Sequence, residues 1–214
     1  MRWRAICSVV LFAQCVFGQA TAQTASTIFA LGRPLETEAK ERYIYKLDRH
    51  TKKVQATSSP LYKVMAAALS ADGNRIFVLD IDNQITVLAS ADLTVVDRFD
   101  IPRPYRHILS VDPATGIFYL SGGTPPSDAR KFVTVFDPAK KVVLKEIRAP
   151  RGELIGGKII RDPLRDRLYV LDTKKIWVID PNKHEIAESI EYGRSIKNPE
   201  VFTDLLLLPK SRRL

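Results

Sequence analysis

The chain reads as an all-β protein assembled from one four-stranded antiparallel unit written about four times, and three observations predict it. Short apolar strands recur: IFALG at 28–32, IFVLD at 76–80, IFYLS at 117–121 and LYVLD at 168–172, spaced 48, 41 and 51 residues apart. A second series follows each of them, with IYKLD at 44–48, ITVLA at 85–89, VTVFD at 133–137 and IWVID at 176–180. Turn-forming Asp, Pro, Gly and Asn punctuate the same places in each unit. Short strands repeated at roughly 40 to 50 residues mark stacked sheet modules, so the expected fold is a β-propeller of four-stranded antiparallel blades.

The first residues stand apart from the repeat. Arg2 and Arg4 precede an apolar run at 5–18 (AICSVVLFAQCVFG), and Ala20-Thr21-Ala22 supplies the small-x-small pattern of a cleaved export signal. The run is shorter than the about 20 apolar residues of a membrane span and is interrupted by Gln14. Residues 1–22 are therefore expected to be a signal peptide cleaved near Ala22. The processed chain is expected to be periplasmic or secreted, with no membrane span. Cys7 and Cys15 leave with the signal, and no other cysteine exists to form a disulfide, a thiol nucleophile or a thiolate metal site. Two arginines and no acid are lost, which takes the formal net charge from +9 to +7. Stability must come from an apolar core, and a hydrophobic fraction of 45% in 214 residues is enough to build one.

The blades then follow in order, at about 27–58, 63–101, 106–148 and 157–191, with the start of another at 201–214. The second and third strands of a unit, such as LYVL and IWVI, are apolar on both faces and need cover front and back. Stacked blades supply that cover. The fourth strands, at 142–147 and 185–190, mix charges with apolar residues, as suits an outer edge that must resist pairing with another chain. Turns at 71–74 (ADGN), 112–116 (DPATG) and Asp162-Pro163 separate first from second strands. Asp48-Arg49, Asp137-Pro138 and Asp180-Pro181 separate third from fourth. Beyond the leader only LETEAKER at 35–42 is compatible with a turn or two of helix.

Phrases such as RLYVLDTKKIWVIDPNKHEIAESI at 167–190 resemble the YVTN (YncE-like) β-propeller repeat, in which a YV strand leads to a V-x-V-I-D strand. The resemblance covers nearly all of the processed chain. It departs at Asp172-Thr173-Lys174-Lys175, where the family has an Asn- and Gly-rich loop. It implies a propeller, with relatives of about seven blades, and it specifies function hardly at all. The processed chain opens on a second strand and ends on VFTDLLLLPKSRRL, a first strand, a turn and the opening of the next second strand. Two arrangements follow: a closed four-bladed ring completed by that last strand, or a partial arc of a larger propeller. The arc is favoured, because Arg212-Arg213-Leu214 stops where the phrase RDRLYV continues elsewhere.

A repeat is its own control for chemistry. Asp80 and Asp172 recur in register after second strands, and Asp48, Asp137 and Asp180 after third strands, so they are expected to cap turns. The DIDN phrase at 80–83 fails as a calcium loop, with Ile85 where glycine and Ala91 where glutamate is needed. His50 and His184 lie in turns before fourth strands and are expected to face solvent. His107 precedes an innermost strand and is expected near the rim of the axial channel. Trp177 and Tyr169 sit mid-strand and are expected in the core.

The loops leading into innermost strands, at 60–63, 103–107, 151–158 and 193–200, should meet on one face at the channel mouth, beside the long insertion at 122–130. They make Lys63, Arg103, Tyr105, Arg106, His107 and Lys158 the candidate ligand-binding residues. The opposite face is also basic, with Lys52, Lys140 and Arg165 among its residues. No HExxH, histidine pair or Gly-x-Ser-x-Gly motif supports metal hydrolysis or a nucleophile elbow, and no catalytic residue, metal site or cofactor is assigned. The expected function is an exported, non-enzymatic binding or interaction platform for a protein, a cell-envelope component or a small anionic ligand. The alternative is a periplasmic propeller enzyme, lactonase-like or dehydrogenase-subunit-like, with its site at the channel mouth. Lactonases of that kind need acids, Asn or His converging on a metal, and the loops offer Glu153, Asn198 and Glu200 with one histidine. Nucleic acid is not an expected partner, since no aromatic-basic platform is present.

Overall fold

The computed structural model describes residues 10–12, 27–32, 41–102, 108–121, 132–153, 155, 157–162, 164–172 and 175–191. Carboxylates at the bends set the hairpins. Asp48 Oδ1 accepts the N–H groups of His50 and Thr51, Asp80 Oδ1 those of Asp82 and Gln84, and Asp137 Oδ1 those of Ala139 and Lys140. Asp180 does the same for Asn182 and Lys183. Asp72, Asp112 and Asp162 each accept one or more N–H groups at the bends after first strands. Each acid gives a tight turn the acceptor its backbone needs. The N–H groups donated by Thr51 and Lys140 hold the Asp48 and Asp137 carboxyls below the usual carboxylate range.

Between these bends the chain forms four antiparallel sheets, each in sequence order. The first contains β1 (Val10–Phe12), β2 (Thr27–Gly32), β3 (Glu41–Asp48) and β4 (Val54–Thr57), with β5 (Leu61–Tyr62) added to β3. The second contains β6 (Val64–Leu69), β7 (Arg75–Asp80), β8 (Gln84–Ala89) and β9 (Val95–Asp100). The third contains β10 (Ile108–Val111), β11 (Phe118–Ser121), β12 (Phe132–Asp137) and β13 (Val142–Arg148). The fourth contains β14 (Ile159–Asp162), β15 (Arg167–Leu171), β16 (Lys175–Asp180) and β17 (Glu185–Glu191). Two compact units result: residues 1–100 hold the first two sheets and residues 101–214 the last two.

The third–fourth strand pair shifts register in every sheet, at Lys46/Leu47, Val87/Leu88, Val135/Phe136 and Val178/Ile179. A bulge at the same place in all four modules increases the local twist of the outer strand. That strand is largely exposed in each sheet, as at Val95–Asp100 and Glu185–Glu191, whereas Phe118–Ser121 is buried throughout.

Each unit buries its own apolar cluster. In the first, Leu31, Ile44 and Leu61 pack with Ala67, Ile76, Val78 and Leu88 across the facing sheets. In the second, Tyr119, Val133 and Val135 pack with Leu168, Val170, Trp177 and Ile179. Trp177 and Tyr169 are both buried, as expected of mid-strand aromatics. Gly157 passes against the carbonyl of Leu171 so closely that a Cβ there would lie 1.7 Å from that oxygen, which leaves room for no other residue.

Two local expectations differ from the structure. Glu41 and Arg42 extend β3 rather than ending a helical turn, and residues 33–40 lie outside the described residues. Residues 61–62, read as part of a loop, pair with Glu41 and Arg42 as β5. Val10–Phe12, inside the expected leader, pairs with Phe29, Ala30 and Leu31 as the edge strand of the first sheet.

Candidate binding cleft

In the first unit one face of the second sheet changes character along its length. Ile76 and Leu88 are cross-strand partners on that face and join the apolar cluster. One step along, the row is Val78, Thr86 and Arg98, paired across three strands. Beyond it stand Asp80 and Gln84, on either side of the β7–β8 turn. Apolar packing stops where these polar side chains begin, and a cleft of about 250 Å³ remains. Val64, Val78, Asp80, Gln84, Thr86 and Arg98 line it from the second sheet, and Pro60, Leu61 and Tyr62 form its wall.

The wall is fixed from several directions. The Ser58 N–H donates to the carbonyl of Ile44, and the Ile44 N–H donates to Ser58 Oγ. Leu61 is buried in the cluster, and Tyr62 pairs with Glu41. The Tyr62 and Tyr43 hydroxyls donate to the two carboxylate oxygens of Glu41, each at 2.9 Å. Those bonds to a carboxylate raise both phenol pKa values above the usual range, so both hydroxyls stay protonated donors. Tyr62 is 58% exposed and lines the cleft.

The polar groups of the cleft differ in how far they are already used. Asp80 Oδ1 is occupied by two turn N–H groups, while Oδ2 has no partner among the described residues. Gln84 Nε2 donates to Asp100 at 3.2 Å, which leaves its carbonyl oxygen as an acceptor. The Thr86 hydroxyl and the Arg98 guanidinium make no hydrogen bond or ion pair among the described residues.

The expected ligand residues fall unevenly. Lys63 lies in the first unit with φ of 51°, its carbonyl accepting from Ile81 and its ammonium paired with Asp82 at 3.1 Å. It adjoins the wall but does not line the cleft. Lys158 lies in the second unit, where its carbonyl accepts the Leu171 N–H at 2.9 Å, next to the Gly157 carbonyl held by Ser121 Oγ at 2.7 Å. Arg103, Tyr105, Arg106 and His107 lie outside the described residues, as does the insertion at 122–130. Sequence reasoning missed Arg98, Thr86 and Gln84. The available signal was the alternation of Gln84 and Thr86 with apolar residues in QITVL at 84–88, which makes part of one face of this strand polar.

The second unit carries a polar network. Arg161 is 9% exposed at its side chain and meets Asp112, 2% exposed, at 3.2 Å. Its remaining N–H groups reach Asp166 and the carbonyls of Asp162 and Arg167. The Tyr119 hydroxyl stands 3.0 Å from His184 Nδ1 and 3.3 Å from the Pro181 carbonyl. Burial raises the Tyr119 phenol, and burial followed by the Lys145 charge lowers the His184 imidazole. His184 is thus a packed, half-buried partner of a core tyrosine and not the solvent-facing turn residue expected. Among the described residues no group of three or more His, Cys, Asp or Glu side chains is placed to hold a metal ion.

No family model and no curated protein matches the chain. Solved structures do match. The hydrazine synthase of Kuenenia stuttgartiensis superposes with a TM-score of 0.60 at 14% identity, over 78% of this chain and 46% of that one. The Cps50 (Swd1) β-propeller domain of Myceliophteria thermophila superposes with a TM-score of 0.63 at 14% identity, over 86% and 55%. The sheets are β-propeller blades. At such identity the likeness shows the fold alone, and this propeller chain spans about half the length of the structures it matches.

Proposed function

We propose that the chain is an exported, non-enzymatic β-propeller of the YVTN type that presents a binding site at the cleft of its first unit. The observation that carries this reading is the open Arg98 guanidinium beside the pinned wall at residues 60–62. A preformed concavity with a few unspent polar groups is the ordinary form of a small-ligand site. The wall is also one of the loops expected at the channel mouth. Export is supported by the basic, apolar and small-residue order of residues 1–22, and the YVTN assignment by the strand phrases at 167–190.

A photo-crosslinking amino acid at Tyr62 tests the binding role in cells carrying the full chain. It is expected to capture an envelope component that the same probe at Val96, on the exposed fourth strand, does not. Equal capture from both positions, or none from Tyr62, removes the cleft from the function. A rise of several degrees in melting temperature with calcium or zinc would instead favour the enzymatic alternative.

A further inference from the structure

Resting on the reading of this cleft as a binding site, we propose that its occupant is a single uncharged sugar ring. Three features of the cleft point to that chemistry. The first is size: about 250 Å³ is below the roughly 300–1,000 Å³ of sites for drug-sized ligands, and suits one ring rather than a peptide or nucleotide.

The second is the hydrogen-bonding inventory. Arg98 and Thr86 are neighbours across β8 and β9 and supply unspent donors. Asp80 Oδ2 and the Gln84 carbonyl oxygen supply unspent acceptors in the same cleft. A hydroxyl both donates and accepts, so a polyhydroxylated ring satisfies both sets at once. A carboxylate or phosphate satisfies only the donors and meets the Asp80 charge, while a cation meets Arg98. The two lining charges offset each other, which selects against an ion of either sign.

The third is the wall. The exposed Tyr62 ring and its neighbour Pro60 line the same cleft and bring apolar surface to it alongside the polar groups. A pyranose has that same division, with C–H groups on one face and hydroxyls around its edge. Glu41 holds the Tyr62 hydroxyl, so the ring is oriented before a ligand arrives.

Ligand-observed NMR and calorimetry on the full chain decide the matter, with glucose, N-acetylglucosamine, galacturonate and citrate as probes. A neutral sugar is expected to bind, and Arg98→Ala, Tyr62→Ala and the nearly isosteric Thr86→Val are each expected to weaken it by about tenfold, the loss of one good contact. Lys63→Ala, outside the cleft, is expected to change affinity less than about twofold. If citrate and galacturonate bind through Arg98 while both neutral sugars do not, the cleft is an anion site: the sugar class is overturned and the binding reading survives. Binding that all three cleft variants leave intact, or no binding of any sugar at about 10 mM, overturns the proposal. Capture from Tyr62 in the crosslinking experiment is a separate readout, so a failed sugar assay does not by itself remove the binding site.

Discussion

His184 shows how a single residue acquires a role from what packs on it. Its φ of 53° turns the chain at the end of the hairpin bend, and the turn brings Nδ1 to the Tyr119 hydroxyl. Desolvation lowers its pKa, the Lys145 charge adds to that, and Asp112 and Asp180 oppose it. The unfolded chain therefore binds a proton more readily than the folded one just below the ordinary imidazole value of 6.5. Its contribution to stability is complete above that value and is lost as pH falls below it, toward the lower folded value. We expect the His184 ring to titrate below 6.5 by NMR, and the melting temperature to fall on acidification through that range. His184→Asn tolerates the left-handed backbone and is expected to flatten that slope. An unchanged slope would show that the titrating group lies elsewhere. Tyr119 remains protonated throughout, since burial moves its phenol upward.

At the scale of elements, the third and fourth sheets are held by an apolar seam with a buried ion pair set into it. Arg161 on β14 and Asp112, next to β10, join the third and fourth sheets beside the cluster around Trp177. Removing one partner of a buried pair strands the other charge, which costs about 3–5 kcal/mol. Asp112→Asn keeps an oxygen for the Ala114 N–H while removing the charge. Arg161 retains Asp166 and two carbonyls, so the expected loss in denaturant unfolding lies at the lower end of that range. Breaking the exposed Lys145–Glu185 pair, at 2.9 Å, with Lys145→Gln is expected to cost under about 1 kcal/mol. Equal losses from the two variants would remove the special standing of the buried pair. The strands themselves were readable from their apolar runs and turn acids. β5 was not, because a two-residue ladder has no periodicity and exists only through its pairing with Glu41 and Arg42.

At the scale of the whole molecule, the segment proposed as an export leader also supplies a strand to the first sheet. Val10–Phe12 pairs with β2, yet lies in the segment expected to be removed. N-terminal sequencing of periplasmic protein is expected to begin at Gln23, and hydrogen exchange of the β2 amides at residues 29–31 is expected to be faster in that form than in the unprocessed chain. Retention of Met1 in the exported protein would set the leader reading aside. The sequence by itself determined the repeat, the antiparallel four-strand modules, the turn caps and the burial of Trp177 and Tyr169. Those features depend on local chemistry: alternation, β-branched content and side-chain acceptors within a few residues. Only the tertiary structure decided that Arg98 faces Thr86 in an open cleft, that Arg161 reaches Asp112, and that His184 meets Tyr119. Those pairs lie 12, 49 and 65 residues apart in the chain. Strand register and blade packing bring them together, and no short-range pattern encodes such a meeting.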